Sequence, residues 1–205
     1  MSRTLVASEM SPPEMFKLML GLIGPRPIGW ISTISSEGIS NVAPFSFFNM
    51  VGNNPPVLMF SPALTRDLKR KDTLRNVEQT KCFVHNVVTR DVAEAMNKTS
   101  EDFPYNVSEF EKVGLTALPS TFVKAPRVGE AKINIECQLD QIVSLGDRAG
   151  NGQLVLGKVV AIHFNDEAFL DAKGLVDSEK LPLIARLGKS DYMDFGKVFS
   201  MEKQY

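Results

Sequence analysis

Residues 25–61, PRPIGWISTISSEGISNVAPFSFFNMVGNNPPVLMFS, constrain the fold more than any other stretch. Their spacing predicts three strands joined by short loops, at 27–35, 41–45 and 57–61. The first is apolar and β-branched, with Ser and Thr interleaved. Ser36-Glu37-Gly38 supplies a turn in which glycine takes a positive φ. An Asn-Asn-Pro-Pro run breaks the chain before the third strand. Polar side chains are dense among the apolar ones: Ser32, Thr33, Asn41, Ser46 and Asn49. A buried hydroxyl or amide stabilises nothing unless something hydrogen-bonds it. Two arrangements meet that demand. One is a hairpin whose polar face meets water. The other is a polar-edged cleft with Trp30, Phe45, Phe47 and Phe48 as apolar walls, which suits a planar heterocycle rich in acceptors.

A chain of 205 residues with 43% hydrophobic and 23% charged residues forms a packed core as one domain, 1–205. A net charge of −1 argues against a dedicated surface for nucleic acid or an anionic membrane, which would need clustered Lys and Arg. Cys82 and Cys137 lie far apart without a CxxC, as buried free thiols in a reducing compartment would. No apolar run approaches the roughly 20 residues that span a bilayer. The first ten residues, MSRTLVASEM, lack the basic and apolar regions of a signal peptide, so a cytoplasmic protein is expected.

Elsewhere the local signals are plain. Ser11-Pro12-Pro13-Glu14 opens a helix to about Leu20, with a capping box and Pro at its first position, and Gly21 and Gly24-Pro25 end it. Residues 61–73 are the most basic stretch, with Arg66, Lys69, Arg70 and Lys71. They run into a helix at 72–80 with Asp72 as cap. A basic loop entering a helix N-terminus favours phosphate, although a solvated charge run has the same pattern. Residues 81–88 alternate as a strand in which His85 reads as a satisfied core histidine. Asp91 caps a helix at 91–96. The polar segment 97–111, with Phe103, Tyr105 and Phe110, fits a lid, a dimer contact or a surface excursion. Residues 114–119 and 123–127 read as short edge strands. Residues 133–145 and 154–164 form a hairpin through GDRAGNG, with His163 near its end. Many short strands and few helices imply a mainly-β barrel with peripheral helices.

The run RPIGWIST…EG…NVAPFSFFN, followed by KDTLRN, resembles the flavin reductase-like, FMN-binding split-barrel family. That family includes the reductase components of two-component monooxygenases and flavoredoxin. The resemblance runs from about residue 15 to 199. It implies a Greek-key split β-barrel and a homodimer with FMN near the interface. It also implies NAD(P)H as a transient hydride donor and a monooxygenase or another electron acceptor as partner. A flavoredoxin-like carrier reduced by a protein partner is the alternative.

The resemblance also assigns residues. Lys71, Asp72 and Thr73 fall at the flavin phosphate and ribityl chain, with Ser61 and Arg66 as helpers. The loop between those two reads Pro-Ala-Leu-Thr, where relatives often have Ser-Ser-Gly-Arg. Backbone of 41–46 lines the isoalloxazine edge: Ala43, Phe45 and Ser46 as donors, Pro44 only as shape or acceptor. Thr33, Asn49 and Ser32 reach the ribityl chain or ring, and Trp30 either packs on the ring or fills the barrel. Arg186, Gly188 and Tyr192 match a C-terminal RLGG…Y signature, with Lys189 at the second Gly. Tyr192 stacks or hydrogen-bonds near the flavin. His163 is the candidate catalytic side chain beside flavin or nicotinamide. The chain has no GxGxxG, Walker loop, HExxH, Cys/His cluster or GxSxG, and no metal is expected. Flavin chemistry needs none of these.

Overall fold

The structure is a computed structural model that describes residues 2–194 and 196–201. Helix α1 is Pro12–Leu22. Strands β1 (Gly29–Ile34), β2 (Ser40–Phe45), β3 (Phe48–Asn53) and β4 (Pro56–Phe60) follow. Then come α2 (Asp72–Thr80), β5 (Cys82–Asn86), α3 (Ala93–Lys98) and α4 (Glu109–Val113). The short strands β6 (Ala117–Leu118) and β7 (Arg127–Val128) precede the long hairpin β8 (Ile133–Ser144) and β9 (Gln153–Phe164). Strands β10 (Ile184–Arg186) and β11 (Tyr192–Asp194) are the last among the described residues.

Seven strands form one antiparallel sheet in the order β2-β1-β5-β8-β9-β4-β3, so β2 and β3 are its edges. The architecture is mainly β, with helices at the periphery. Period-two alternation places the core on both faces. Trp30, Val42 and Val88 join Met96 and Phe110 in one cluster, while Ile31, Phe60, Phe83 and Leu74 of α2 form the other. Phe83 lies across Gly157 of β9, where any Cβ would collide with its ring. Only glycine permits that approach.

Several sequence expectations need correction, among them the strand at 123–127, of which only Arg127 lies in a strand. Residues 25–61 hold four strands, because Phe48–Asn53 pairs with β4 through a bulge at Met50/Gly52. Helix α1 runs through Gly21 to Leu22. Residues 91–96 do not form one helix capped by Asp91: a short 3-10 turn, Arg90–Val92, precedes α3, and the Asp91 carboxylate instead accepts from the Thr89 hydroxyl at 2.5 Å. Among the described residues, no helix is long and apolar enough to cross a membrane and no acidic, His or Cys cluster could hold a metal ion.

Candidate functional site

A cleft of about 300 Å³ opens between the edge strand β2, the basic loop before α2 and the segment around Ser100. Its back wall is Asn41, Ala43, Pro44 and Phe45; its floor is Lys71, Asp72 and Thr73. Asn41 is buried at the centre of a hydrogen-bond network. Its Oδ1 accepts from the hydroxyls of Thr33 (3.1 Å) and Thr73 (2.9 Å). Its Nδ2 donates to Glu109 Oε1 at 3.0 Å. Both lone pairs of the amide oxygen are committed and one N–H remains. Thr33 accepts from Asn76 Nδ2, and Asn76 Oδ1 accepts from the Tyr105 hydroxyl at 3.0 Å. The paired strands β1 and β2, helix α2 and the 97–111 segment are thereby tied together.

The Val42 N–H donates to Glu109 Oε2 at 3.2 Å. It therefore points away from β1, and alternation along β2 turns the N–H groups of Ala43 and Phe45 inward, toward their partners Ile31 and Gly29. This corrects the expectation that those two amides serve as donors. Pro44 falls at an outward position, where a missing N–H breaks no ladder bond. The next outward position is Ser46, whose N–H makes no backbone hydrogen bond among the described residues.

Lys71 is the N-cap residue of α2, and Asp72 is its first helical residue. The N–H groups of residues 72–74 have no intrahelical acceptor and face the cleft end with the positive end of the helix dipole. The other cations are engaged. Lys69 pairs with Asp67 at 2.7 Å, and that hydrogen bond, helped by Thr65, holds the Asp67 carboxyl at about 2. Arg70 pairs with Glu78 at 2.8 Å. Lys71 makes no ion pair among the described residues. Burial raises the carboxyl pKa of both Asp72 and Glu109; cations near Asp72 and hydrogen bonds to Glu109 only partly oppose it.

The remaining sequence-assigned residues lie elsewhere. Trp30 is fully buried in the core, donating its Nε1–H to Thr99 Oγ1 at 3.0 Å. Ser32 is buried and donates to the Pro126 carbonyl. Ser61 is buried against Gly152, Arg66 is exposed, and Asn49 turns back to accept from the Met50 N–H. Arg186 and Tyr192 line a neighbouring pocket, the guanidinium 4.4 Å above the ring, with the Tyr192 hydroxyl on Asn97. His163 lines neither cavity. Its Nε2 lies 2.5 Å from Glu136, a fully buried carboxylate that also accepts the N–H groups of Thr121, Phe122 and Val123. Burial pushes the Glu136 carboxyl up, but these donors more than offset it.

Sequence reasoning missed Glu109 and Asn76, whose partners are far away in the chain. It also gave no role to Arg26, although Arg26 stands inside the quoted RPIGWIST run. An arginine between two prolines was a visible signal.

Comparison with known proteins gives the family and the fold. A family model described as "Flavin reductase like domain" matches residues 23–180. A protein of Aquifex aeolicus is 47% identical over 188 residues, covering 92% of this chain and 93% of its own. The structure of nitrilotriacetate monooxygenase component B from Bacillus cereus superposes with a TM-score of 0.91 at 32% identity, over 98% of this chain and 99% of that one. The 2-nitrobenzoate 2-nitroreductase NbaA of Pseudomonas fluorescens superposes with a TM-score of 0.88 at 31% identity, over 98% and 96%. The chain belongs to the flavin reductase-like family.

Proposed function

We propose that this protein is an FMN-dependent NAD(P)H oxidoreductase, acting as a cytoplasmic homodimer that feeds a monooxygenase or another acceptor. The observation that carries the reading is the cleft's phosphate end: unbonded α2 amides beside Lys71, the one cation lining the cleft that has no ion-pair partner among the described residues. That donor set fits a phosphate monoester. Lys71 and the amides of residues 72–74 hold the phosphate. Thr73 braces Asn41, whose spare N–H meets ribityl or ring acceptors. The Ser46 N–H and Pro44 carbonyl meet the ring edge, and Phe45 and Phe103 exclude water. FMN bound there would supply the redox chemistry, and the residues just named would hold it and keep water from it. A second copy of the chain accounts for the apolar side chains left exposed on α1 and β3: Phe16, Met19, Leu22, Met50 and Val51.

An anaerobic visible spectrum of the FMN-reconstituted protein, before and after NADH and then NADPH, tests this. Bleaching of the flavin band is expected and gives the nucleotide preference. A yellow protein that neither nucleotide bleaches would replace the reading with a carrier reduced by a protein partner. A protein that takes up no FMN would remove both.

A further inference from the structure

A second cavity, of about 290 Å³, lies beside the cleft and shares Pro44 and Ser100 with it. Phe16, Ile28, Phe47 and Tyr192 make its walls apolar. Among the described residues its charged groups are of one sign: Arg26, Arg186 and Lys189 line it and no Asp or Glu does. None of the three makes an ion pair among the described residues.

Arg26 is buried and holds the backbone together. It donates to the carbonyls of Leu20 (2.7 Å), Ile23 (2.6 Å) and Leu187 (2.8 Å), and reaches Ser46 Oγ at 3.4 Å. A guanidinium has five N–H donors, so one is left over. Burial lowers the Arg26 pKa, and the nearby Arg186 charge lowers it further. Like charges held together without a counter-ion are stabilised by any anion that joins them.

Lys189 adds an independent sign. Its φ is +53°, in the left-handed region that disfavours a side chain. The Arg186 guanidinium donates to its carbonyl at 2.6 Å, and the Leu187 and Asp191 N–H groups close the turn onto Asp191 and Gly188. Glycine would take this conformation freely. Here a lysine bears the strain, and it lines a pocket that has no acid among the described residues.

We propose that this pocket is a second-substrate site for a small planar acid, a single ring bearing a carboxylate, with Lys189 selecting the anionic group. The apolar walls take the ring. The volume is at the small end for ligand sites, room for one ring and not for a dinucleotide. Its place beside a redox centre rests on the flavin reading above; its ligand chemistry does not.

Calorimetric titration of the full chain, with and without FMN, tests the site with benzoate and its neutral isostere benzamide. Benzoate should bind about tenfold more tightly than benzamide. Lys189→Gly should weaken benzoate about tenfold and leave benzamide and FMN unchanged. Lys189→Gln, which keeps the side chain without the charge, should lose benzoate to the same degree. Equal affinity for the two ligands, or benzoate binding insensitive to both variants, overturns the proposal. So does displacement of benzoate by inorganic phosphate at equal concentration, since the apolar walls would then contribute nothing. If FMN fails to bind while benzoate still discriminates, the flavin reading falls and the acid site stands.

Discussion

The cleft and the pocket meet at Pro44 and Ser100, yet they are built on opposite electrostatic plans. The cleft carries Asp67, Asp72, Glu101, Asp102 and Glu109 against Lys69, Arg70 and Lys71. Two of those cations are held by acids, so an anion there depends on backbone N–H groups and one ammonium. Among the described residues the pocket is lined by three cations and no acid. The cleft's wall is fixed by a buried network in which Asn41 answers to Glu109, Thr33 and Thr73. The pocket's rim is a surface turn. Such a contrast separates a rigid seat from an adjustable one: the first is expensive to alter, and the second changes with a single exposed residue.

That contrast can be measured only where the sheet beneath both regions is intact, and His85 sets the limit. It is buried against Phe48, but its Nδ1 finds no partner among the described residues, which corrects the expectation of a satisfied core histidine, and burial pulls its pKa down to about 3. The unfolded chain binds this proton below about 6.5, the folded one only near 3. Stability therefore falls as pH drops through that window, by up to about 5 kcal/mol. Urea unfolding from pH 7.5 to 4 should show this acid limb in the wild type and a flatter one in His85→Val. An unchanged limb would place the acid sensitivity elsewhere.

Asn41→Ala is the sharpest blow to the cleft. It strands a buried carboxylate and two buried hydroxyls, which should cost about 3 kcal/mol in urea unfolding at pH 7.5. Benzoate binding, corrected for the unfolded fraction, should not change. A loss below 1 kcal/mol would mean that the network is not shared as the geometry indicates. Lys71→Ala is milder. It should weaken FMN about tenfold by calorimetry, as loss of one charge-assisted bond does, with benzoate unaffected. If FMN affinity holds, the α2 amides alone carry the phosphate.

These residues also mark how far the sequence could be read. The phosphate end was legible, because a basic loop running into a helix start is a local pattern. Strand β3 was not: FNMVGN leaves Asn49, Met50 and Val51 exposed, so the alternation that betrays a half-buried strand is missing. Glu109 was invisible because its meaning lies with Asn41, which is 68 positions away. For His163 the residue type was suggestive, but its partner Glu136 and the three N–H groups on that carboxylate exist only in the fold. The outward and inward turns of the β2 amides follow from a single side-chain contact, that of Val42 with Glu109.

The smallest effect should separate the two regions most clearly. Lys189→Gly relieves a left-handed lysine, worth about 1–2 kcal/mol, while glycine's extra freedom in the unfolded chain takes back about 0.5–1 kcal/mol. The balance is a gain of about 0.5 kcal/mol, or a rise of roughly 1–2 °C in Tm for a chain of this length. Stability and anion affinity should thus move in opposite directions at this residue. At Asn41 they should fall together, for the fold and for FMN. A lower Tm for Lys189→Gly would show the lysine stem packing against the pocket wall, and the rim would then be as rigid a seat as the cleft.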